Sequence, residues 1–140
     1  LLKPLTYMNE SGQAVGAVAR YYGLPIDQIG VVYDEMNLDL GQIKVSVSGS
    51  AGGHNGVDSL LQHLGNGFIR YRMGIGPKKP AEIDMKDFVL GRFSEEEFRQ
   101  VESDLPQTLD GLNLLVDRGV TVTMNHLNRR TKQIDEFEKE

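Results

Sequence analysis

Residues 49–56, Gly49-Ser50-Ala51-Gly52-Gly53-His54-Asn55-Gly56, constrain this chain most, because four of the eight are glycine and they separate a strand pattern from a helix pattern. Upstream, Gln42-Ile43-Lys44-Val45-Ser46-Val47 alternates polar with apolar, as a half-exposed strand does. Downstream, Val57, Leu60, Leu61 and Leu64 recur at helical spacing. Glycine lets backbone turn sharply or lie close to a neighbour, so the stretch reads as a strand, turn and helix unit. Asn55 is the expected N-cap, and Gly65-Asn66-Gly67 the expected stop. Two readings fit the turn: a tight connection only, or a substrate cradle in which backbone N–H groups and the helix start face an anion or developing oxyanion. His54 beside Asn55 favours the cradle, since an imidazole and a carboxamide add donors and acceptors there.

The remaining segments intermix helix and strand. Leu1 and Leu2 read as a strand end stopped by Pro4. Val15, Val18, Ala19 and Tyr22 predict a helix over Ser11 to Tyr22, closed by Gly23 and Pro25. Ile29 to Tyr33 is a continuous apolar run, the pattern of a strand buried on both faces and ending at Asp34-Glu35, with a turn at Leu38 to Gly41. Ile69 to Gly76 alternates again and puts Arg70 and Arg72 on one strand face. Pro77 to Ile83 reads as a loop and Met85 to Leu90 as a short helix or turn before Gly91. Ser94 caps a helix from Glu95 that Pro106 kinks without ending, Gly119 terminates it, and Val120 to Leu127 is helical again. The expected class is α/β with a mixed twisted sheet flanked by helices, as one domain over residues 1–130 with a charged tail at 131–140.

Composition narrows the chemistry. Among 140 residues there is no cysteine, which excludes disulfides and thiolate metal sites, and the three histidines (His54, His63, His126) lack ligand spacing, so no metal and no cofactor are expected. No apolar run approaches the roughly 18 residues of a membrane span, and no signal-like segment opens the chain, so the cytoplasm is the expected location. The net charge of −5 argues against broad nucleic-acid affinity, but it is unevenly spread. Residues 1–80 hold seven Lys/Arg against six Asp/Glu, while residues 81–140 hold eight against fourteen. The half with the glycine loop is therefore able to carry a positive rim.

Several side chains have both an ordinary reading and a functional one. Asp34 is either a surface carboxylate or the group that orients a histidine base. Asn9 is either a helix cap or a carboxamide aimed at substrate or water. Lys44, Arg70, Arg72, Lys78 and Lys79 are either a solvated surface or a set of phosphate contacts, the latter salt dependent and indifferent to base sequence.

Lys3-Pro4-Leu5-Thr6-Tyr7-Met8-Asn9-Glu10-Ser11-Gly12, Tyr33-Asp34-Glu35-Met36-Asn37-Leu38, the glycine loop, Tyr71 to Gly76 and Phe88-Val89-Leu90-Gly91-Arg92-Phe93 closely resemble the bacterial peptidyl-tRNA hydrolase family, in matching order. The resemblance implies a mixed twisted sheet and hydrolysis of the ester joining a peptide to the 3′-terminal ribose of tRNA, by a monomer. It implies that Asp34 orients a catalytic histidine and that Asn9 and Asn55 position water, substrate and carbonyl oxygen. Tyr7, Met8 and His54 would line the cleft, and Lys44 and Arg72, with Arg70 and Lys78 as weaker members, would hold tRNA phosphates. The family's GNPG-like strand and TRHN-like stretch with the catalytic histidine do not occur here, and neither His54, His63 nor His126 takes that histidine's place. These 140 residues alone are therefore expected to lack a sheet strand and to be inactive. Ser46 stands where the family often has a second basic residue. Two other functions remain in view: a hydrolase-like RNA-binding protein without catalysis, and a generic phosphate binder, disfavoured because the loop lacks GxGxxG and P-loop spacing.

Overall fold

The computed structural model describes residues 1–76 and 84–128. Among these residues five α-helices and three strands follow in order: α1 (Ser11–Tyr22), β1 (Gly30–Asp39), β2 (Ile43–Ser46), α2 (Asn55–Leu64), β3 (Ile69–Gly76), α3 (Met85–Leu90), α4 (Glu95–Arg118) and α5 (120–128), with short 3-10 turns at Met8–Glu10 and Ile26–Gln28. The loop expected over Pro77 to Ile83 and the tail at 131–140 lie outside the described residues. Two compact units are formed, the first from Leu1–Val31 with Ser46–Arg70, the second from Val32–Val45 with the described residues from Tyr71 onward.

In the first unit, α1 packs on α2. Gly12 makes the closest approach: its N–H donates to Ser59 Oγ at 2.9 Å, and a Cβ there would overlap the Ser59 carbonyl and stand 2.8 Å from Leu60 N. Ala19, Ile29, Val57, Leu60 and Phe68 complete the apolar interior of this unit. Gly23 ends α1 in the left-handed region at φ 64°, with its N–H returned to the last turn. Residues 1–5 have no regular structure, and Leu1, Leu2 and Leu5 are exposed, so the strand expected at Leu1-Leu2 does not form. Strand geometry needs a neighbouring ladder, and none is offered there among the described residues.

The sheet belongs mainly to the second unit and has the order β1-β3-β2. A short turn reverses the chain between β1 and β2, and β3 lies between them, so β3 must run parallel to one and antiparallel to the other. The sheet is mixed for that reason. The turn spans the end of β3: Leu40 N–H donates to Gly76 C=O at 2.9 Å and Gly74 N–H to Gln42 C=O at 2.8 Å. Gly41 turns at φ 90°, where a Cβ would come within 2.5 Å of Asp104 Oδ2 on α4.

Contrary to the expectation of a doubly buried strand ending at Asp34-Glu35, β1 continues to Asp39 and is exposed or half-buried throughout. Pairing with β3 carries the ladder past the carboxylates, so Asp34 lies within the strand. Helices flank the sheet. Tyr71 of β3 is fully buried and donates its hydroxyl to Thr108 C=O of α4 at 2.8 Å, an approach that only glycine at 111 permits, since a Cβ there would overlap that hydroxyl. Asn128 of α5 accepts from Val45 N–H at 3.2 Å and donates to Val45 C=O at 3.0 Å, pairing with β2 much as another strand would. Ser94 and Glu97 form a reciprocal capping box at the start of α4, and the helix passes through Pro106 to Gly119.

Candidate active site

The glycine loop is shaped from within. Arg70 is 2% exposed, and its guanidinium donates to Gly49 C=O at 2.5 Å, Ser50 C=O at 2.6 Å and Asn66 Oδ1 at 3.3 Å while lying over the Phe68 ring at 4.8 Å. Strand alternation puts Arg70 and Arg72 on one face, but Arg70 is interior: its two terminal nitrogens are taken by the loop carbonyls and Asn66, and its Nε is buried without a partner among the described residues. This removes Arg70 from the set able to reach an external phosphate.

Beyond this clamp, His54 N–H donates to Ala51 C=O at 3.0 Å, closing a turn whose central residues, Gly52 (φ 57°) and Gly53 (φ 83°), both adopt positive φ. Two side-chain-bearing residues would be strained there. The chain then enters α2 with His54 as its N-cap, in place of the expected Asn55. His54 Nδ1 accepts from Gly56 N–H at 3.2 Å and Val57 N–H at 3.3 Å. An acceptor at Nδ1 fixes the neutral ring as the Nε2–H tautomer. It also occupies the helix-start amides that the cradle reading would have turned toward an anion. Asn55, one residue on, is the first residue of the helix and is exposed.

Met8–Glu10 forms a single 3-10 turn that leads into α1 and packs against α2. Ser11 Oγ donates to Met8 C=O at 2.8 Å, and Glu10 N–H to Tyr7 C=O at 2.9 Å, so the turn is held at both ends. Met8 Sδ lies against Gly56, where a Cβ would be 2.6 Å away. Met8, Asn9, His54 and Asn55 therefore belong to one neighbourhood of the first unit, with the Asn9 and Asn55 carboxamides exposed. Tyr7 is 82% exposed at its edge. Sequence reasoning missed the supporting residues Ser11, Asn66 and Phe68; the Ser three positions after Met8 was the readable signal.

In the second unit, Asp34 is half-buried on β1. Beside it in sequence, Glu35 faces Arg72 of β3 across 3.7 Å, each side chain about one-fifth exposed. Lys44 is exposed on β2, and Lys78 lies outside the described residues. Among the described residues no three His, Cys, Asp or Glu side chains cluster as a metal site would require, and no helix is long and apolar enough to cross a membrane.

An α/β framework with a histidine-capped glycine loop and two surface carboxamides beside it is suited to holding a polar substrate. The family model described as peptidyl-tRNA hydrolase matches residues 1–136. Named peptidyl-tRNA hydrolases align over nearly the whole chain. That of Gloeobacter violaceus is 45% identical over 132 residues, covering 94% of this chain and 66% of its own length. That of Nostoc punctiforme is 46% identical over 136 residues, covering 94% and 64%. The crystal structure of peptidyl-tRNA hydrolase from Acinetobacter baumannii superposes with a TM-score of 0.80 at 34% identity, over 89% of this chain and 63% of that one. A peptidyl-tRNA hydrolase complex with N-propanol gives 0.81 at 33% identity. This chain belongs to the peptidyl-tRNA hydrolase family and spans about two thirds of the length of the curated relatives it matches.

Proposed function

We propose that the protein hydrolyses the ester between a peptide and the 3′-terminal ribose of tRNA. The observation that carries this reading is the family match over residues 1–136, with Asn9, Asp34, Asn55 and the glycine loop all present. An ester carbonyl under attack by water gathers negative charge on oxygen, and carboxamide N–H groups stabilise it if they are already in place. Asn55, fixed at the first helical position by the His54 cap, supplies such a group, and Asn9, on the turn that Ser11 closes, supplies a second. Asp34 orients the histidine that activates water in this family. Tyr7, Met8 and His54 form the wall against which the substrate end lies.

Lys44 and Arg72 take tRNA phosphates, joined by Lys78, while Arg70 is reassigned to the loop. Glu35 competes with phosphate for Arg72. The protein acts without metal or cofactor, as a cytoplasmic monomer. Release of peptide from peptidyl-tRNA by the natural protein that contains this chain tests the reading. Asn9→Ala, Asp34→Ala and Asn55→Ala should each lower kcat by roughly 10²-fold or more, the scale of losing one preorganised donor. Full activity in all three variants would refute it, and tRNA binding without any hydrolysis would favour the RNA-binding alternative.

A further inference from the structure

We propose that Arg70 is a positioning residue that sets the geometry of the glycine loop for hydrolysis; this rests on the function proposed above. A buried guanidinium is costly unless its charge is answered, and apolar residues commonly fill such space at less cost. Among the described residues, no carboxylate pairs with Arg70. Its partners are two consecutive loop carbonyls, the Asn66 carboxamide oxygen and the face of Phe68. The fold thus keeps an un-neutralised cation directly behind Gly49-Ser50.

That placement has a directional effect. In a trans peptide the N–H points opposite to the C=O of the same plane. Drawing Gly49 C=O and Ser50 C=O inward to Arg70 therefore turns Ser50 N–H and Ala51 N–H outward. Neither amide donates to a protein acceptor among the described residues. Two adjacent outward donors, with a positive charge behind them, favour an oxygen carrying partial or full negative charge. Ala51 C=O, next in line, accepts from His54 N–H, so the same clamp also sets where the α2 cap begins. Gly49 itself fits this arrangement, at φ 140° and with room for a Cβ only 3.3 Å from the Arg70 guanidinium. Lysine keeps the charge but cannot span both carbonyls while stacking on Phe68.

The experiment compares Arg70→Lys with wild type in the natural protein, measuring kcat and KM for peptidyl-tRNA hydrolysis and amide hydrogen exchange across residues 50–54. Asn55→Ala serves as the companion that tests the hydrolase reading. The expected result is a folded variant with KM changed little, kcat lower by about 10²-fold, and faster exchange at His54. Added guanidinium ion should restore part of kcat in Arg70→Ala. Unchanged kcat in folded Arg70→Lys while Asn55→Ala is impaired would overturn the inference and leave the hydrolase reading intact. Unchanged exchange would overturn it as well. If wild type does not hydrolyse peptidyl-tRNA, it is the hydrolase reading that fails, and the catalytic role drawn here fails with it; exchange then reports only whether Arg70 holds the loop. Should Arg70→Lys not fold, Asn66→Ala, which removes one guanidinium contact, is expected to lower kcat with KM preserved, and an unchanged kcat there would count against the proposal.

Discussion

Gly12→Ala should unfold the protein far more readily than the same change one turn later. A methyl group at 12 would overlap the Ser59 carbonyl and lie 2.8 Å from Leu60 N, well inside ordinary contact, and both obstacles are backbone. The helices must separate, a form of overpacking that costs about 1–3 kcal/mol. Separation also breaks the bond from Gly12 N–H to Ser59 Oγ, and a buried donor left without a partner costs roughly 1–3 kcal/mol. Better helix propensity returns about 1 kcal/mol. The net loss is on the order of 1–5 kcal/mol, or a fall in Tm of roughly 3–20 °C for a chain of this length. Gly16→Ala is the internal control, because its nearest neighbours are the mobile end of Arg20 at 3.2 Å and His63 Cβ at 3.6 Å. Its cost should stay below about 1 kcal/mol. Urea titration of both variants measures the difference. Equal midpoints, or a Gly12→Ala cost under about 0.5 kcal/mol, would refute the close-contact argument.

Burial pushes the Tyr71 hydroxyl up from its ordinary 10 to about 12, so the folded state holds that proton more tightly than the unfolded chain. The stabilisation is complete below pH 10 and disappears as pH rises toward 12; Tyr71→Phe should flatten that alkaline decline in a pH series of melts, and an unchanged slope would rule Tyr71 out as its source. Removing the α2 cap by His54→Ala should cost about 1 kcal/mol, with His54→Asn restoring most of it, and equal melting of both variants would contradict the capping role. Lys44→Ala should weaken tRNA binding and reduce the slope of log K against log salt by about 1, measured by titration from low to moderate salt. An unchanged slope would remove Lys44 from the phosphate set.

Where local chemistry decides, the sequence was readable. The α1 bounds followed from apolar spacing closed by Gly23, the start of α4 from the Ser94 cap, and β3 from its alternation over Ile69 to Gly76. What escaped depends on partners distant in the chain. The expected end of β1 at Asp34 relied on a carboxylate as a stop signal, whereas strand pairing set the actual end at Asp39. Alternation puts Arg70 and Arg72 on one strand face but does not say what covers each of them; the carbonyls of Gly49 and Ser50, some twenty positions earlier, enclose Arg70, and that cover is not written in the strand pattern. At the α2 start, residue type pointed to Asn55 as the cap, and backbone placement by the Gly52-Gly53 turn put His54 there instead.

The contact between Tyr71 and Gly111 also bears on how such chains can diversify. With the hydroxyl occupying the space a side chain at 111 would need, the two positions are not free to drift separately. A lineage that acquires alanine at 111 must first, or at once, give up the tyrosine at 71, and one that retains the tyrosine is barred from every other residue at 111. Sampled widely, natural relatives should show these two columns changing together, with the intermediate combination rare or compensated by a shift of α4.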